Sequence, residues 1–191
     1  MRLVTYSTDH SLRLGAWLDP YILDMKGAVI HLLGEAGRCE MIISACHSLL
    51  DLLKAGAEAW EIVRSTVEKV SQNINRYRHE LIALGILIPI KNVQLLAPLP
   101  APGKVICVAG NYPSPGVDQK PDYPIIFLKP SSSVTGLGMP IILTNLTQNV
   151  AIEVELALVI NKTARHTSQD DALDYVAGYI LANDIGDRDL E

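Results

Sequence analysis

The sequence is poor in cysteine, in basic charge and in long apolar runs, and each shortage removes a class of protein. Its three cysteines, Cys39, Cys46 and Cys107, stand far apart. They form no CxxC and no zinc spacing, so a reducing cytoplasm is the expected compartment. A net charge of −5 at pH 7 argues against nucleic acid or an anionic membrane as partner. The longest apolar run, Leu81 to Ile90, is too short to span a bilayer and holds Gly85 and Pro89. MRLVTYSTDH has no charged-then-apolar signal pattern. Gly110, Gly136 and Gly138 form neither GxGxxG nor GKS, which argues against a nucleotide site. Neither an internal repeat nor a low-complexity tract is present.

What is there suffices for a core. Apolar residues make up 49% of 191, which places the chain among globular proteins. Arg2–Tyr6 and Leu12–Leu18 read as short strands with a turn at Thr8–His10, and Ala28–Leu32 as a third strand or the start of a loop. Cys39–Lys54 has helical spacing and ends at Ala55-Gly56. Glu58–Leu84 reads as one long helix with a packing stripe of Trp60, Val63, Val67, Val70, Ile74, Tyr77 and Leu81. His47 and His79 on these helices lack partners at metal-ligand spacing. LPAPG at 99–103 is the best boundary. Beyond it come strands at Lys104–Ala109, Ile125–Leu128, Ile141–Leu143, Val150–Ile160 and Tyr175–Ala182. A short helix from Ser168 to Tyr175, capped by Ser168, precedes the last of them. The class is α+β: an N-terminal region, 1–98, of short strands and two helices, then a β-rich region, 104–191.

The most informative stretch is NVAIEVELALVIN, 149–161. Val150, Ile152, Val154, Leu156, Leu158 and Ile160 fall on one face of a strand. The other face carries Glu153 and Glu155 among Ala151, Ala157 and Val159. Two neighbouring anions among small apolar residues repel each other and are costly to desolvate. A divalent cation resolves both problems, and Asp184, after the next apolar segment, offers a third carboxylate. The alternative is a solvated face balanced by Lys or Arg on a neighbouring strand.

These residues resemble the fumarylacetoacetate hydrolase family. LLAPLPAPGKVICVAGNY, YPIIFLKPSSSVTG, IEVELALVI and NDIGDRD follow that family's order and spacing from Leu95 to Glu191, and the first ninety residues follow it loosely. The resemblance implies a small N-terminal α/β region and a β-rich, mixed-sheet catalytic domain, truncated here at Glu191. It implies Mg²⁺ or Mn²⁺ on Glu153, Glu155 and Asp184, and a homodimer. The activity it implies is hydrolase, isomerase or decarboxylase chemistry on small 2-oxo or β-diketo acids through an enolate-like intermediate. Lys129 and Arg188 would neutralise substrate or developing charge. Arg188 could equally pair with Asp187 or Asp189 as a structural bridge. Asn111 and Tyr112 would line the pocket, although an Asn-Tyr at a strand end also serves as a turn device.

Two features depart from that pattern. Pro115 stands where the family's lid has a His, and Asp118 where it has a Glu, so the usual general base is missing. Water-dependent C–C cleavage loses weight against decarboxylation or isomerisation. Together with the stop at Glu191, this keeps open a non-catalytic alternative: a truncated, catalytically impaired member acting as a structural or interaction subunit.

Overall fold

The computed structural model describes residues 1–9, 11–34, 39–112, 122–143, 145 and 149–189. The chain divides into two compact units, Met1–Met139 and Pro140–Glu191. The segment 99–103 falls inside the first of these, between its fifth and sixth strands.

In the first unit, β1 (Leu3–Ser7), β2 (Arg13–Leu18) and β3 (Tyr21–Asp24) form an antiparallel meander. With β4 (Leu87–Pro89) and β5 (Gln94–Leu96) they make a five-stranded sheet in the order β4-β3-β2-β1-β5. Five helices, α1 (Met25–Leu33), α2 (Glu40–Ala45), α3 (Leu49–Ala55), α4 (Ala57–Gln72) and α5 (Ile74–Ala83), lie between β3 and β4 in sequence. The core joins Leu14, Leu23 and Leu87 of the sheet to Val29, Leu52, Val63, Val70 and Leu81 of the helices. The long stripe packs as its spacing requires: Val63, Val67, Val70 and Leu81 are buried, with Trp60, Ile74 and Tyr77 against them.

Three expectations change in this unit. Ala28–Leu32 is neither strand nor loop but part of α1. Asp24 ends β3 and caps the helix, its Oδ1 accepting the Gly27 N–H at 2.6 Å. The helix expected over Cys39–Lys54 is two helices. Ser48 breaks it, donating to Asp51 Oδ2 at 2.6 Å and accepting the Asp51 N–H at 3.1 Å. The helix expected over Glu58–Leu84 divides at Asn73, whose side-chain amide donates to the Lys69 carbonyl at 3.0 Å and whose φ is −122°. Gly56, at φ +85°, ends α3 as expected, in a conformation that favours glycine.

A second, separate antiparallel pair in this unit is β6 (Val105–Ala109) with β7 (Ile125–Lys129). In the second unit β8 (Val150–Ile160) pairs antiparallel with β9 (Val176–Asp187), which runs five residues further than the sequence suggests. Ile141–Leu143 forms no strand. The helix expected after Ser168 is a 3₁₀ turn, Ala172–Tyr175, although Ser168 and Asp171 do bond reciprocally. The class is α+β, and the pairings among the described strands are antiparallel. Among the described residues no helix is long and apolar enough to cross a membrane.

Tyr6 ties the first sheet to α1. Its side chain is fully buried and its hydroxyl donates to Asp24 Oδ2 at 2.5 Å. Burial pushes that hydroxyl well above the usual phenol range, and the nearby Asp24 charge adds to the shift. The fold thus holds the neutral phenol. Its contribution is intact below the ordinary phenol pKa of about 10 and is lost as pH rises beyond it. Tyr6→Phe should lower unfolding free energy at pH 7 by about 1.5–3 kcal/mol, the range for hydrogen bonds to charged groups. Urea melts of both chains measure this, and the difference should narrow as pH climbs past about 10.

The apolar face of β8 and β9 is open. Ile152, Val154, Leu156, Leu158, Ile160, Tyr179 and Leu181 are 49–80% exposed. A contiguous patch of this kind drives association. In sedimentation velocity the chain should run well above its 20.8 kDa monomer mass, and the double change Val154→Lys, Leu181→Lys should shift it toward monomer. A wild-type chain that stays monomeric at tens of micromolar would refute this.

Candidate functional site

The acids meet because of register. Glu153 lies directly opposite Asp184, and Glu155 opposite Ala182. Directly opposed residues share a face, and so do i and i+2, so Glu153, Glu155 and Asp184 stand on one side of the β8–β9 pair. This is the more covered side. Ala151 is buried, and Glu155, Ala157, Val159, Ile180, Ala182 and Asp184 are all half-buried. The mostly apolar side, which also carries Asn183 opposite Val154, is the one that faces out.

Arg188 joins the same side. It follows Asp184 by four residues and Gly186 by two, and its backbone N–H donates to the Asn149 carbonyl at 3.0 Å, prolonging the ladder. Its Nη2 donates to Glu153 Oε1 at 3.0 Å. The partner of Arg188 is therefore across the strand pair, whereas the sequence offered a substrate role or, equally, a bridge to Asp187 or Asp189. Asp187 Oδ1 instead accepts the backbone N–H of Asp189 at 3.0 Å. The signal was available in the count Asp184, Gly186, Arg188, which alternation places on one face once Asp184 opposes Glu153.

The donor set suits a hard divalent cation: it is all oxygen, anionic and drawn from two paired strands. Opposed Cβ atoms lie about 4.5–5.5 Å apart and diagonal neighbours about 7–8 Å, within carboxylate reach of a shared ion. With the side chains as they stand, no three His, Cys, Asp or Glu among the described residues close on one metal position. Glu153 is turned to Arg188. Closure of the set therefore needs side-chain rotation and no change of register.

The other predicted residues lie in the first unit. Asn111 and Tyr112 are exposed and follow Gly110, whose φ of +67° turns the chain out of β6. Lys129 closes β7 opposite Val105, whereas Ala109, beside Gly110, faces Ile125. The ladder thus sets Lys129 roughly 13 Å from the Asn111 end, at about 3.3 Å per residue. Pro115 and Asp118 lie outside the described residues.

Residues 104–191 match the model of the fumarylacetoacetate (FAA) hydrolase C-terminal family. The fumarylacetoacetate hydrolase domain-containing protein 2 homolog of Dictyostelium discoideum is 35% identical over 197 residues, covering 100% of this chain and 56% of that protein. The mitochondrial oxaloacetate tautomerase Fahd2a of Rattus norvegicus is 44% identical over 117 residues, 60% of this chain and 37% of its own length. A crystal structure of maleylpyruvate hydrolase from Sphingobium sp. SYK-6, in complex with manganese(II) and pyruvate, superposes with a TM-score of 0.63 at 28% identity, over 98% of this chain and 60% of that one. The chain thus spans about half the length of the Dictyostelium relative and about a third of the rat one. Strands β6 to β9 all fall within the matched stretch, and this part of the chain belongs to the fumarylacetoacetate (FAA) hydrolase C-terminal family.

Proposed function

We propose that the chain is a metal-dependent enzyme of hydrolase, isomerase or decarboxylase type, acting on small 2-oxo or β-diketo acids. The observation that carries this reading is the β8–β9 register, with Glu153 opposite Asp184 and Glu155 two residues on. Glu153, Glu155 and Asp184 would hold Mg²⁺ or Mn²⁺. The bound ion would act as a Lewis acid on a 2-oxo carbonyl. Two relatives support the reading: the rat one is named an oxaloacetate tautomerase, and the SYK-6 enzyme carries manganese and pyruvate.

The protein's own groups supply the rest. The three acids would fix the ion at one face of β8 and β9. Arg188 brings the positive charge that an anionic substrate on that face requires. Lys129, Asn111 and Tyr112 keep the substrate-facing roles that the family pattern gives them, as assignments of their own. Pro115 offers no proton acceptor where the family has a His, so the chain is better suited to moving a proton between carbon and oxygen than to activating water. A homodimer in a reducing compartment completes the proposal, in line with the wide sequence spacing of Cys39, Cys46 and Cys107.

The open apolar face of β8 and β9 favours a second reading, a non-catalytic subunit that pairs with another chain. Activity separates the two. With Mn²⁺ present, the chain should accelerate the enol-to-keto conversion of oxaloacetate, followed by ultraviolet absorbance. Chelation should abolish the effect and metal should restore it. Glu155→Ala should lower the rate by roughly 10²-fold or more, since Lewis-acid stabilisation contributes several kcal/mol. Inactivity toward oxaloacetate and other 2-oxo acids, in a folded chain that still binds Mn²⁺, would favour the subunit reading.

Hydrolysis makes a separate expectation. Acylpyruvate cleavage should trail that of a His-bearing relative by about 10²–10⁴-fold, the usual contribution of a general base. A matching rate in a coupled pyruvate assay would place the base on another residue.

A further inference from the structure

The Arg188–Glu153 pair engages Oε1 of a carboxylate that a cation would use. Arg188 is rooted by its backbone bond to Asn149, one step beyond the Val150–Asp187 pair. Between that root and Glu153 stand Ala151 and Gly186, directly opposed, with a methyl group and a hydrogen for side chains. A long side chain can run along the strand axis over so small a pair, and the guanidinium reaches Glu153 Oε1 at 3.0 Å.

Resting on the reading that Glu153 is a ligand, we infer that Arg188 is an internal counter-ion that competes with the divalent metal for the Glu153 carboxylate. A guanidinium and a divalent cation both bring positive charge to one group, so each weakens the binding of the other, by the same factor. Arg188 and Glu153 are 56% and 47% exposed, which keeps their pair weak and displaceable. Arg188 thus shields the acid face and weakens metal binding only slightly. Once Glu153 turns to the ion, the guanidinium is released on the same face, available to an anionic ligand. The anion therefore binds more tightly once the metal is in place. A purely positioning role, in which Arg188 steadies Glu153 for ligation through its other oxygen, demands the opposite sign: loss of Arg188 would weaken metal binding.

Calorimetric titration with Mn²⁺ of the full chain and of Arg188→Gln, Arg188→Lys and Glu155→Ala decides between them, with circular-dichroism melts to confirm folding. Arg188→Gln should bind Mn²⁺ about two- to fivefold more tightly, the scale of an exposed ion pair. Arg188→Lys should stay near wild type, and Glu155→Ala should lose most of its affinity. A second measurement needs no variant at position 188. In the ¹⁵N-labelled wild-type chain, one arginine Nε–H resonance that is already displaced by Glu153→Gln should also move on saturation with diamagnetic Mg²⁺. Unchanged or weaker Mn²⁺ affinity in a folded Arg188→Gln, or a resonance that ignores Mg²⁺, overturns the counter-ion role while leaving the ligands in place. A wild-type chain that binds Mn²⁺ no better than Glu155→Ala removes the ligand assignment, and the inference falls with it.

Discussion

Side chains alternate between the two faces of β8 and β9, so one choice of register decides which acids meet. Pairing Glu153 with Asp184 gathers three carboxylates and, four residues on, Arg188. A slip of one residue would send Asp184 to the opposite face from Glu153 and Glu155 and leave two acids without the third. Burial of one apolar face is the usual force that fixes such a register. Here that face is open, and the small and acidic face is the better covered one. The ladder itself, continuous from Val150 to Val159, carries the alignment, with its irregularity confined to the Val159–Ile160 end.

Much of this was legible in the sequence because it rests on short periods. Alternation located β8 with its exact ends and put Glu153 beside Glu155. The step of three and four located the stripe from Trp60 to Leu81, which does pack on the core. Breaks were harder to see, for the same reason. An amphipathic stripe runs on in phase across Asn73, so periodicity cannot report that the Asn73 side chain has captured a carbonyl of the preceding turn. Ala28–Leu32 misled for a different reason: its Val and Ile suit a strand, but the cap at Asp24 commits the backbone to a helix first. Ile141–Leu143 has the composition of a strand and finds no strand partner among the described residues, and a strand is defined by its partner.

The candidate site was legible as a set of residues and not as a geometry. Which strands pair, and at what offset, is a long-range property that no window of sequence contains. Glu153 and Asp184 stand 31 residues apart and are directly opposed. The charge balance on the acid face was anticipated only in kind. A cation from the neighbouring strand was expected as an alternative to metal, and Arg188 is that cation. The two readings of the acid pair are therefore not exclusive, since a carboxylate paired to Arg188 can still turn to a metal.

Asp24 has a consequence for how the first unit can be taken apart. One carboxylate serves β1 through the Tyr6 hydroxyl and α1 through the Gly27 amide. Strand and helix are not interchangeable modules. A graft or circular permutation that carries β1 without α1 would strand a phenol inside the sheet, and one that carries α1 without β1 would take the phenol donor away from Asp24 Oδ2. Any rearrangement at this end of the chain must therefore keep Leu3 to Leu33 in one piece, with its cut points outside both hydrogen bonds.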